Sequence, residues 1–331
     1  MRAPGGRTVA RVLVPPGSRL VSTVLRQRTR CPIAARATSR GLRCVPACLA
    51  ALLLIACSNK HFVTVASKNF TEQVILGEIV AQHLQHRLGE RVDRKLNLGG
   101  TLLAHKALVN GGIDIYPEYT GTALTDILKL PPSKDAAAVL ATVRAAYRKW
   151  NLEWMDPLGF NNTFAMAVGG AVARAQRIRT LSDAAAYQPG WTLGVGYEFL
   201  QRPDGLPGLL KTYPLHLKRA PISMDLGLLY QALSQGKVDM VAGSETDGQL
   251  SVLDVAVLED DRHFFPPYQA ALVVRESALT ENPKLRPALA ELSGKFSDTV
   301  MRKLNYEVDG RHRPVRKVAA DFLGQAGLSP R

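Results

Sequence analysis

The order of elements between residues 61 and 116 constrains this chain most. HFVTVA (61–66) alternates and is rich in β-branched residues, which predicts a strand. Residues 71–88 carry apolar side chains at 74, 75, 76, 79, 80, 84 and 88, a helical spacing, with Thr71 as the expected N-cap and Gly89 as the stop. A strand over 91–96, a helix over 101–110 closed by Gly111-Gly112, and a strand over 113–116 follow. Strand, helix, strand, helix, strand with turns of a few residues predicts a parallel sheet with crossover helices. Such sheets bind ligands beyond the C-terminal ends of their strands. The loops 67–69, 97–101 and 117–122 all fall at that edge. Each leads into a helix N-terminus, where backbone N–H groups favour anionic ligand groups.

The pattern continues with helical spacing at 120–129 and 135–149, then the apolar strand TFAMAV (163–168). It restarts with a strand over 191–195, helices near 204–212 and 224–235, and a strand over 238–242. AALVV (270–274) reads as a further strand, and helices near 283–294 and 296–306 are expected after it. Two α/β patterns joined by apolar strands at 163–168 and 270–274 predict two lobes with paired crossings, which close on a ligand by hinge motion.

The formal charge of +14 suggests a nucleic-acid partner, but its distribution argues against one. Residues 1–56 hold ten arginines and no Lys, Asp or Glu; without them the chain has 32 basic and 28 acidic residues. That body has no clustered basic run of the kind a nucleic-acid footprint needs. The run VPACLAALLLIA (45–56) follows Arg40 and Arg43. It is too short to span a bilayer and suits the apolar segment of a signal peptide. Leu54-Ile55-Ala56-Cys57 resembles a bacterial lipoprotein box, which makes Cys57 the expected lipidation site and new N-terminus. Such a terminus tethers a domain to a membrane surface. The stretch before Arg40 is long for this role, and residues 1 to about 20–35 are read as an extended n-region or a misassigned start.

All four cysteines (Cys31, Cys44, Cys48, Cys57) lie in the first 57 residues. The expected mature domain therefore has no intrachain disulfide, Cys-ligated metal or Cys nucleophile. His83, His86 and His105 lack the spacing of a metal site, and no cofactor or metal is expected. Gly99-Gly100 does not fit a phosphate-binding or dinucleotide fingerprint, and no nucleophile elbow appears.

The loops at the strand ends carry a resemblance. SKNFTEQ (67–73), NLGGT (97–101), IYPEYTGT (115–122), NNTFA (161–165), RPDG (202–205), TDG (246–248) and FFPPY (264–268) stand in that order. Over about residues 62–325 the chain resembles the glycine betaine/choline/carnitine-binding proteins of osmoprotectant ABC importers. The resemblance implies an α/β, type II periplasmic-binding-protein fold, with two Rossmann-like lobes joined by two crossing strands. It places lobe 1 at 62–163 and 270–331 and lobe 2 at 164–269, after a signal segment 1–56 and an anchored linker 57–61. It implies a solute caged by aromatic rings, ABC permease and ATPase partners, a lipid-anchored extracytoplasmic location, a monomer, and no bond-breaking step. A quaternary ammonium has no N–H to donate, so ring faces hold it, at roughly 0.5–2 kcal/mol per desolvated contact.

Carried over by residue, the resemblance makes Tyr119 and Tyr268 cage rings, Thr122 a polar contact, and Lys68 and Arg202 carboxylate partners. Phe164 stands where many relatives have a tyrosine. Relatives often read Gly-Tyr-x-Thr-Asp where this chain reads Gly243-Ser244-Glu245-Thr246-Asp247. A cage ring is then missing at Ser244, with Tyr197 or Phe199 as candidate substitutes. One lost ring of four costs about 1–2 kcal/mol, roughly 5–30-fold in affinity. Tyr116 is expected in the lobe core and Tyr119 beyond the strand end. Asp247 is expected to brace its loop. Glu118 and Gln73 remain open between ligand contact and structural roles. The alternatives are the same fold with another small ligand, or a solute sensor rather than a transport component.

Overall fold

A computed structural model describes residues 62–328. The expected signal segment, Cys57 and the other cysteines lie outside the described residues. Two five-stranded sheets form the frame. The first has β1 (Thr64–Ala66), β2 (Asp93–Lys95), β3 (Ile115–Tyr119), β4 (Leu152–Trp154) and β10 (Ala270–Arg275), in the order β2-β1-β3-β10-β4. The second has β5 (Phe164–Gly169), β6 (Leu193–Val195), β7 (Ile222–Ser223), β8 (Met240–Ser244) and β9 (Val255–Val257), in the order β7-β6-β8-β5-β9. In each sheet four strands run the same way, three of them paired in parallel, and the strand received from the other half inserts antiparallel between the third and the edge strand. Strands β5 and β10 each begin just after a crossing. The crossing segments pair antiparallel at Asn161 and Gln269.

Period-2 alternation sorts each strand between two cores. In β10, Leu272 and Val274 join Val65, Ile75 and Phe322 on one face. Ala271 and Val273 join Leu108, Tyr116 and Val143 on the other. Each fully buried aliphatic side chain of this kind contributes about 1.5–3 kcal/mol. The helix Thr71–Leu88 packs between the first sheet and the C-terminal helices, and Gly89 ends it in the left-handed conformation at φ 66°.

Several details differ from expectation. Phe70, not Thr71, is the N-cap, and Thr71 Oγ1 instead donates to Asp309 at 2.6 Å. Strand β3 runs through Pro117 to Tyr119 rather than stopping at Tyr116. Pro117 opposes Leu272, whose carbonyl accepts from Met155 on the far side, so the missing proline N–H faces away from β10 and costs no ladder bond. The sequence reading also omits β7, β9 and the helix Val315–Gln325. Among the described residues no helix is long and apolar enough to cross a membrane.

Candidate functional site

The C-terminal ends of both parallel strand sets face one cavity of about 800 Å³. That volume lies in the range of small-molecule sites. All seven residues singled out as ligand contacts (Lys68, Tyr119, Thr122, Phe164, Arg202, Ser244 and Tyr268) line it.

Strand β3 puts Tyr116 and Tyr119 on opposite faces, because they are three residues apart. Tyr116 is fully buried in the core and donates to Glu118 Oε2 at 3.0 Å. Tyr119 turns to the cavity, stacks on Phe70 with ring centroids 6.3 Å apart, and donates to Glu72 Oε1 at 2.6 Å. Glu72 is a hub that the sequence reading passed over in favour of its neighbour Gln73. Its Oε1 also accepts from Asn162 Nδ2 at 2.7 Å; its Oε2 accepts from Thr246 Oγ1 at 2.5 Å and Asn305 Nδ2 at 3.0 Å. Two donors per oxygen saturate the carboxylate. Burial still raises its pKa, outweighing these four hydrogen bonds. Gln73 stays below the cleft, where its Oε1 accepts from the Lys68 N–H at 3.3 Å.

Both expected carboxylate partners already hold carboxylates of the protein. Lys68 Nζ donates to Glu118 Oε1 at 2.5 Å and to Thr101 Oγ1 at 3.2 Å, which leaves one ammonium N–H. Glu118 is thus the buried counter-ion of Lys68. Arg202 grips Asp204 through Nε at 2.9 Å and Nη2 at 2.5 Å, and donates to Thr122 Oγ1 at 3.2 Å. Two of its five N–H groups remain. Asp204 also accepts from Tyr268 at 2.6 Å and Thr125 at 2.8 Å. This network depresses the Asp204 pKa against the burial that opposes it, and holds Arg202 charged.

The rings carry cations of the protein itself. Arg202 lies over Phe164 at 5.4 Å and over Tyr268 at 5.9 Å, and Lys68 over Tyr119 at 5.1 Å. Phe164 also contacts Phe199, Phe265 and Tyr268 edge-on or tilted, at 4.9, 5.5 and 5.5 Å. Phe199 is buried behind Phe164, whereas Tyr197 is 64% exposed at the cavity rim. Opposite Phe164 in the antiparallel register stands Ser244, so no ring projects there. Asp247 accepts the Ser244 N–H at 2.7 Å, the loop-bracing role expected of it, and also faces the cavity. His83 bonds the Ala288 carbonyl, and His105 packs against Tyr147 and Trp150, both away from the cleft.

The halves are clasped. Glu198 accepts from the Thr101 N–H at 2.7 Å and from Thr101 Oγ1 at 3.1 Å, capping the helix Thr101–Val109 from across the cleft. Arg302 Nη2 donates to the Glu245 carbonyl at 2.6 Å. With the Thr125–Asp204 bond, these contacts define a closed conformation.

Two α/β lobes, each with an inserted return strand and closed over a shared cavity, define a two-lobed solute-binding protein. Residues 62–325 match the substrate binding domain of ABC-type glycine betaine transport systems, and the chain belongs to that family. It is a family of binding domains, not of enzymes. The chain is 36% identical over 300 residues to a glycine-betaine-binding protein of Pseudomonas aeruginosa, covering 85% of this chain and 96% of that one. It is 37% identical over 269 residues to an ergothioneine transport permease/ergothioneine binding protein of Helicobacter pylori, covering 80% of this chain. It spans only 48% of that longer relative. A crystal structure of a glycine betaine/carnitine/choline ABC transporter protein superimposes with TM-score 0.69 at 32% identity, over 80% of this chain and 99% of that one.

Proposed function

We propose that this chain is the solute-binding component of an ABC importer and takes a small zwitterionic quaternary ammonium, such as glycine betaine, into the cleft. The observation that carries this reading is the pairing of ring faces with spare cationic donors around one closed cavity. Tyr119, Phe164 and Tyr268 supply ring faces for the ammonium group. The spare N–H groups of Arg202 and Lys68, with Thr122, receive the carboxylate. Ser244 bounds the same wall without a ring. Lobe 1 (62–163 and 270–331) and lobe 2 (164–269) move about the crossings at Asn161 and Gln269. A lipid on Cys57 keeps the monomer at the extracytoplasmic face of the membrane, where it delivers its solute to the permease and ATPase subunits.

Isothermal titration with glycine betaine, choline and carnitine tests the ligand. Heat of binding is expected for at least one of them, and no heat at millimolar ligand sinks the reading. A second reading keeps the fold and changes the solute to a bulkier one such as ergothioneine, the ligand in the name of the H. pylori relative. The serine at 244 and the room of the cavity favour it. Native mass spectrometry of a co-purified solute separates the two. Growth of a deletion strain at high salt with each solute separates transport from sensing.

A further inference from the structure

One wall of the cavity offers hydrogen-bond acceptors that a trimethylammonium carboxylate leaves unused. Asp247 stands half-buried on this wall; its carboxylate accepts the Ser244 N–H at Oδ2 at 2.7 Å and has the Tyr230 hydroxyl as its other neighbouring donor. Among the described residues it has no Lys or Arg within ion-pair distance, unlike Glu118 and Asp204. The Tyr230 hydroxyl belongs to a residue only 4% exposed, lies beside Asp247 and makes no hydrogen bond of good geometry. Both crowd Gly243, where a Cβ would stand 2.4 Å from the Tyr230 oxygen and 2.6 Å from Asp247 Oδ2. Beside them, Asn305 of the helix Asp298–Asp309 gives its amide protons to Glu72 and the Thr246 carbonyl, which leaves its Oδ1 buried and unpartnered. Asn162 donates to the same Glu72 and likewise leaves Oδ1 unpartnered. Buried acceptors without donors are rare in folded proteins and mark places where a bound group completes the site.

We infer that the wall formed by Asp247, Tyr230, Asn305 and Asn162 is a second recognition point, which takes an N–H or O–H donor carried by the solute away from its carboxylate. This rests on the reading above, that the cleft binds a zwitterionic solute. A quaternary ammonium has no proton to give to these acceptors, so the wall favours solutes with a hydroxyl or a ring N–H over glycine betaine. Burial, reinforced by the charges of Glu72 and Asp309, pushes Asp247 up to about 7, and a donor at this point relieves that crowding of acids. Specificity of this kind is strong, because a site built around a hydrogen bond rejects the analogue that lacks the donor.

The test is titration calorimetry with glycine betaine, carnitine (a hydroxyl) and ergothioneine (a ring N–H), on wild type, Asp247→Asn and Tyr230→Phe. Wild type is expected to prefer at least one donor-bearing solute over glycine betaine by about tenfold or more. Asp247→Asn, which turns part of the acceptor into a donor, should cut that preference by about tenfold, and Tyr230→Phe by a few-fold. Tyr230→Phe keeps the ring and its packing, so it carries the test if Asp247→Asn fails to fold. A wild-type preference for glycine betaine, or a preference ratio unchanged in the folded variants, overturns the recognition point alone. No binding of any of the three overturns the zwitterion reading and the recognition point with it.

Discussion

Strands β3 and β8 hold equivalent places in their sheets, between a parallel neighbour and the inserted return strand, yet their cavity ends are built oppositely. Strand β3 ends in a ring, Tyr119, and the acid beside it, Glu118, is matched by Lys68 and by the Tyr116 hydroxyl. Strand β8 ends in Ser244, and its acid, Asp247, has the Ser244 N–H and the Tyr230 hydroxyl beside it but, among the described residues, no ion-paired cation. The ring on the second side comes from the return strand, as Phe164 opposite Ser244. One end is thus a finished, charge-compensated wall; the other is acidic and lacks a counter-ion. The difference teaches that matching topology fixes where a site forms, while the last residues of each strand decide what it can bind.

The sharpest way to break this contrast is Lys68→Met. Glu118 is fully buried, and removing its cation leaves an uncompensated charge. Breaking a buried pair in this way costs about 3–5 kcal/mol, to be read from urea unfolding. A loss below about 1 kcal/mol would show that the first acid is no more dependent on its partner than a surface acid.

The opposite is expected of Asp247. Its pKa is raised from 3.8 to about 7, chiefly by burial, so the folded state holds a proton there that the unfolded state has lost. The stability this group contributes is fully present below the unfolded value and disappears as pH rises through about 7. Glu72 and Asp309, which face it from the first lobe, shift in the same direction. His83 and His105 are lowered by burial and act oppositely on the acid side. The comparison with Asp247→Asn isolates the group: from about pH 5 to about pH 8, wild type should lose about 2–3 kcal/mol relative to the variant. Parallel pH profiles would show that burial does not raise the pKa of this acid.

Ligand binding probes the ring at the first strand end. Tyr119→Ala should weaken binding of the cognate quaternary ammonium by about 2 kcal/mol, roughly 30-fold, in titration calorimetry. Tyr119→Phe keeps the ring and loses only the bond to Glu72, so it should lower stability by about 1 kcal/mol with little change in affinity. Equal affinities for all three proteins would remove Tyr119 from the site.

Much of this arrangement was legible in the sequence because its signals are local. Alternation in 61–66, the helical spacing of 71–88 and the glycines after each helix specify the first lobe, and the strand-end loops follow from it. The helix Val315–Gln325 carries the same kind of signal, with apolar residues at 315, 318, 319, 322 and 323 behind Pro314. Strand β7, two residues long, and the half-exposed β9 carry little periodic signal. Glu72 and Asp204 were out of reach for a different reason. Their partners Asn162, Thr246 and Asn305, or Thr125 and Tyr268, lie far along the chain, and no spacing rule links a carboxylate to donors that only the closed lobes assemble. For the same reason the sequence suggested free cations at Lys68 and Arg202, where folding supplies each with a buried counter-ion.

The smallest effect expected, and the one that tests the contrast most directly, is that of Ser244→Tyr. Ser244 lines the cavity opposite Phe164, at the separation where cross-strand side chains touch. A ring there would restore to β8 what β3 already has and would narrow the acidic wall in front of Asp247. For a compact solute such as glycine betaine the added face should tighten binding by about 1–2 kcal/mol, roughly 5–30-fold. For a bulkier solute the same ring occupies space the ligand needs and should weaken binding. The sign of the change therefore reads out which solute the open end of β8 was shaped for. A variant that alters neither affinity would show that residue 244 stands outside the contacts, and that the two strand ends differ without consequence for binding.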